Sequence, residues 1–93
     1  MSRRRRFREE IAAGEAKLSL ALGEEELAHW LKGARVGLVM RYQPGIGHAS
    51  LEPLLAELPR DYDHPYPHPA RLLSELTYRQ RVALSLLVER YER

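Results

Sequence analysis

The chain has 93 residues, 44% of them hydrophobic and 30% charged, which fits one small globular domain and excludes a disordered chain. It contains no cysteine, so disulfides, thiolate zinc sites and a cysteine nucleophile are excluded together, and no apolar run approaches the roughly 18 residues that span a bilayer. Fifteen basic and 13 acidic residues leave a formal net charge of +2, and the distribution of that charge says more than its sum.

Five arginines, Arg3, Arg4, Arg5, Arg6 and Arg8, fill five of six positions near the start of the sequence. Without them ten basic residues face 13 acidic ones, so the rest of the chain is mildly acidic. The asymmetry predicts a basic arm over residues 1–8 on a single helical domain over residues 9–93, and with it an anionic partner. Arg4-Arg5-Arg6-Phe7 contains the R-R-x-F core of a twin-arginine export signal. Glu9, Glu10, Glu15 and Lys17 interrupt the apolar stretch such a signal needs, and a cytoplasmic location is expected. Leucine (16) and alanine (10) dominate, whereas valine, isoleucine and threonine together number seven. So few β-branched residues predict an all-α fold, a bundle of four to five helices with a proline-rich connector.

In chain order, Phe7, Ile11, Gly14, Leu18 and Leu22 recur at steps of 4, 3, 4 and 4, the stripe of an amphipathic helix from about Arg6 to Leu22. Leu18, Leu20 and Leu22 also alternate as a short strand would. Gly23 breaks the pattern, and Glu24-Glu25-Glu26 suits the positive end of a second helix. Leu27, Trp30, Leu31, Ala34 and Leu38 would form its buried face, with His29 exposed on the other side. An alternative ends this helix at Gly33 and lets Val36, Leu38, Met40 and Tyr42 alternate as a strand. Both strand readings together would give an α+β fold with a small β-α-β unit in residues 16–43.

Pro44, Gly45 and Gly47 mark a loop, and Ser50 is a suitable N-cap for a third helix, Leu51 to Leu58, ended by Pro59. Residues 59–69 form a stiff connector in which three prolines at alternate positions forbid a helix, with its tyrosines and prolines packed over the helices. Residues 70–93 are helical again. Thr77-Tyr78-Arg79-Gln80 fits a capping box that starts a last helix at Tyr78, after a short one ending near Leu76. Apolar residues cover well over half the circumference of that last helix, which calls for burial on more than one side. A homodimer follows as the simplest expectation, through Val82, Leu84, Leu87, Val88 and Tyr91 and through the Trp30 face.

The arginine run is the chief candidate site. Guanidinium groups give charge-assisted hydrogen bonds to phosphate oxygens and stack on unpaired bases, so the backbone of RNA or DNA is the expected partner. Five arginines engaged on B-form DNA would give a log–log salt slope on the order of −4 to −5. An acidic protein surface is the alternative partner, and Glu9, Glu10 or Glu24 to Glu26 of the chain itself would compete for the same cations. His64-Pro65-Tyr66-Pro67-His68, with Asp61, Asp63 and His48, offers metal-ligand residue types. The extended geometry of alternate prolines points these side chains in different directions, so no metal and no cofactor is expected.

Arg41 and His48, separated by six residues, give a spacing similar to the R-x4–6-H motif of HEPN-type endoribonucleases. That resemblance implies an all-helical fold and RNA cleavage at a dimer interface supported by the arginine and the histidine. Residues 73–81, Leu-Ser-Glu-Leu-Thr-Tyr-Arg-Gln-Arg, superficially resemble the start of the DNA-binding region of sigma factors. A recognition helix should follow there, and a packing role is the better reading. No nucleophile elbow, phosphate-binding glycine loop or H-E-x-x-H pattern is present. The expectation is therefore a small binding or accessory protein that touches nucleic acid without reading its sequence, more a binder than an enzyme.

Overall fold

A computed structural model describes residues 2–92; Met1 and Arg93, the outer ends of the expected arm and domain, lie outside the described residues. Helix α1 (Arg3–Ala12) begins at Ser2, whose hydroxyl accepts a hydrogen bond from the Arg5 N–H at 3.2 Å. Four arginines in its first turn oppose the helix dipole. What holds the helix is burial of Phe7 and Ile11, one turn apart on the inward face. It ends where Gly14 adopts a left-handed φ of +77°, a conformation open to glycine at little cost. The long helix expected to Leu22 is thus divided, and Gly14 is its terminator rather than part of its stripe.

Helix α2 (Leu18–Leu22) follows. Leu18 and Leu22 are fully buried while Leu20 is 66% exposed, the spacing of a helix and not of the alternative strand. Its start is capped from the far end of the chain: the Glu92 carboxylate accepts from the Ser19 N–H at 3.0 Å and the Ser19 hydroxyl at 2.5 Å.

No α-helix forms at Glu24 to Glu26. Residues 23–28 form an irregular link, and one 3₁₀ turn occupies His29–Leu31. The cause sits on another helix. The Arg81 guanidinium donates to the carbonyl oxygens of Leu22 (3.0 Å), Glu24 (2.7 Å) and Glu25 (3.2 Å), turning them inward to a buried cation. Carbonyls so directed cannot carry a helical ladder. Leu27, Leu31 and Ala34 still reach the core, and His29 is exposed as expected.

Helix α3 (Val36–Met40) occupies the stretch that also read as a strand. Val36, Val39 and Met40 are buried, whereas Leu38, an expected core residue, is half exposed. Residues 34–37 lie along 69–73: the Val36 and Gly37 N–H groups donate to Arg71 and Pro69 carbonyls, both at 2.8 Å, and Leu73 N–H to Ala34. An isolated antiparallel bridge between Arg35 and Leu72 is the one β-type pairing among the described residues, so the fold is all-α and the β-α-β alternative falls.

Helix α4 (His48–Ala56) starts at Gly47, three residues before the expected Ser50 cap, and buries Leu51, Leu54 and Leu55. Residues 57–72 carry no regular helix, as the prolines require, but the connector does not bury its aromatics. Pro67 is buried, while Tyr62 is 86% and Tyr66 48% exposed.

A 3₁₀ turn at Leu73–Glu75 leads to helix α5 (Tyr78–Glu89), which opens with the expected capping box. The Thr77 hydroxyl accepts from the Gln80 N–H at 3.1 Å, and the Gln80 side chain accepts from the Thr77 N–H at 3.0 Å. α5 packs chiefly on α2, with α4 as a second neighbour, and buries Leu84, Leu87 and Val88 while Tyr78 and Leu86 stay exposed.

Candidate nucleic-acid interface

The basic stretch expected as an arm is helical from Arg3 onward. Arg3 to Arg8 form the first turns of α1, joined to the body by Phe7, whose ring meets Trp30 (centroids 5.1 Å apart) and Tyr42 (6.4 Å) edge-on. Three of the five arginines are engaged with the protein itself. Arg3 stacks over Trp30 at 4.3 Å and pairs with Glu10 at 3.2 Å. Arg4 donates to the Trp30 carbonyl at 3.0 Å, and Arg5 pairs with Glu9 at 3.5 Å, one turn along. Arg6 and Arg8 are exposed and pair with no carboxylate among the described residues. The competition between the protein's own acids and an external anion is therefore divided residue by residue.

α1 runs beside the 30–45 segment, from Arg4 at Trp30 to Ile11 and Ala12 beside Gln43, Pro44 and Gly45. That segment carries the second group of cations. Arg35 and Arg41 flank α3, both exposed and both without an acidic partner among the described residues. They line an open cleft of about 630 Å³ between α3, the start of α4 and the end of the connector. His48, His68 and Glu52 line it too, so the Arg41–His48 spacing noted in the sequence becomes a shared wall.

His68 arrives there through a close backbone approach. Gly37 leaves room for Pro69, whose Cβ would lie 2.9 Å from any Cβ at position 37. The Ala70 N–H then donates to His68 Nδ1 at 3.0 Å, so the neutral ring carries its proton on Nε2. His64, the other histidine of the connector motif, pairs instead with Asp61 at 3.5 Å. The connector's residue types are thus spread over two places. Arg35, Glu52 and His68 were not singled out from the sequence as one cleft, because the contact that unites them is 32 residues long in sequence, Gly37 to Pro69.

The residues expected at a dimer interface fall elsewhere. Leu84 and Val88 are fully buried and Leu87 nearly so in the protein's own core, while Val82 and Tyr91 are half-buried. Trp30 is half-buried beneath α1. Leu84, Leu87 and Val88 thus serve the protein's own core, and the large apolar residues that α5 shows to solvent are Tyr78 and Leu86. No family model, no curated protein and no solved structure matches this chain.

Proposed function

We propose that this protein is a binding protein that attaches to the phosphate backbone of nucleic acid without reading base sequence. The reading rests on one observation. Arg6, Arg8, Arg35 and Arg41 stand exposed and free of carboxylate partners among the described residues, on α1 and on the segment α1 packs against. Guanidinium groups held on ordered elements and spared from internal ion pairs are suited to phosphate oxygens. Their attraction to a polyanion is sequence-independent. Cleavage is a weaker reading of the same cleft, since neither Arg41 nor His48 has a side-chain hydrogen bond among the described residues to fix it for chemistry.

The test compares the full chain with an Arg6→Ala/Arg8→Ala variant by fluorescence anisotropy on labelled RNA and DNA at low salt. Removing the whole run would also remove Phe7 and unseat α1, so point substitutions are required. The double variant should bind both nucleic acids about tenfold more weakly. Equal affinity of the two proteins would refute the reading, and a co-purifying partner that survives nuclease would favour an acidic protein instead.

A further inference from the structure

The cleft does not end at His68. A second hollow of about 470 Å³ adjoins it across the shared residues Glu52, Pro53, His68 and Pro69, and Tyr66 lines this second hollow but not the first. Beyond Tyr66 lies an exposed aromatic group. The Arg60 guanidinium sits 5.0 Å from the Tyr66 ring centre and 5.1 Å from that of Tyr62, holding two rings near one cation. Tyr62 is 86% and Tyr66 48% exposed, although burial of an aromatic ring is strongly favoured. The result is one groove with Arg35 and Arg41 at one end and a tyrosine–arginine platform at the other.

We infer that this groove takes a single-stranded nucleic acid, with bases stacked on Tyr62 and Tyr66 and phosphates met by Arg41 and Arg35. The inference rests on the nucleic-acid reading above and names its substrate class. Base faces are closed in a duplex and open in a single strand, so an aromatic platform selects the latter while a basic wall alone does not. The charge fits: Glu52 is the one carboxylate among the lining residues, against two arginines. Stacking is tolerant of base identity, which agrees with binding that does not read base sequence. Arg60 completes the platform, since its guanidinium plane both orders the rings and offers a further charge beside them.

The test measures binding of short oligo(dT) and oligo(U) strands, and of a duplex of the same length, to the full chain and two double variants. Tyr62→Ala/Tyr66→Ala should weaken single-strand binding about thirtyfold or more and change duplex binding by less than about twofold. Tyr62→Phe/Tyr66→Phe, which keeps the ring faces, should retain nearly the affinity of the parent. Thermal melting of both variants checks folding, and the phenylalanine pair keeps the test decisive should the alanine pair be destabilised. Single-strand affinity unmoved by the alanine pair, or lost by both pairs alike, would overturn the inference and leave backbone binding standing. Failure of the parent chain to bind any of the three probes would remove the nucleic-acid reading and this inference with it.

Discussion

Arg81 shows how one side chain redirects a stretch of backbone far away in sequence. It is 6% exposed, has no carboxylate partner among the described residues, and gives its charge to three carbonyls while lying 5.5 Å from the Tyr78 ring centre. A buried guanidinium is tolerable only when its donors are satisfied, and here the 22–25 backbone satisfies them. Arg81→Leu would fit the volume but leave three carbonyls without a donor. We predict a loss of about 2–4 kcal/mol, read as a lower urea midpoint at unchanged m-value. Unchanged stability would mean that water replaces the guanidinium and that the 23–28 link has another cause. The same residue marks a limit of sequence reading. Glu24-Glu25-Glu26 is a sound helix start by local rules, and the side chain that overrides it lies 56 residues further on.

At the scale of elements, Gly37 joins α3 to the connector. Its N–H donates to Pro69, and the lack of a side chain lets the two backbones meet. In Gly37→Ala the new Cβ would face Pro69 Cβ at 2.9 Å and Pro69 O at 3.1 Å, neither the end of a flexible side chain. Strain of about 1–3 kcal/mol should outweigh the gain of up to about 1 kcal/mol from alanine's helix propensity. The variant should therefore melt several degrees lower and lose single-strand affinity while keeping duplex affinity, because the connector that carries His68 and Tyr66 is displaced. A more stable Gly37→Ala would show that the approach of Pro69 is loose. Elements whose determinants are local were legible in the sequence: the capping box of α5, the helix-free connector, the all-α character. Those set by distant partners were not. Glu92 capping α2 is 73 residues from Ser19, and the connector's exposed tyrosines follow from a course that Gly37 sets. The arginine run was legible as a cationic feature. Its division into self-paired and free members was not, because Arg4 depends on the Trp30 carbonyl and Arg3 on the Trp30 ring.

For the whole molecule the question is how much of the basic charge remains for a partner. Arg3 and Arg4 fasten α1 over Trp30 and Arg5 pairs with Glu9 within α1, so the run is partly a packing device. The proposed phosphate contacts, Arg6, Arg8, Arg35 and Arg41, are four of the seven exposed cations that pair with no carboxylate among the described residues (Lys17, Arg60 and Arg79 are the others), on a body whose longest extent is 37 Å. The salt dependence of binding counts the proposed contacts. If each displaces one counterion, the log–log slope of single-strand affinity against salt should be about −2.8, shallower than the five arginines of the run would give on B-form DNA. The measurement that bears most directly on the account is this slope for the full chain and for Arg6→Ala/Arg8→Ala. The slope should be near −2.8 for the first and about 1.4 smaller in magnitude for the second. Affinity independent of salt, or the same slope for both proteins, would contradict it.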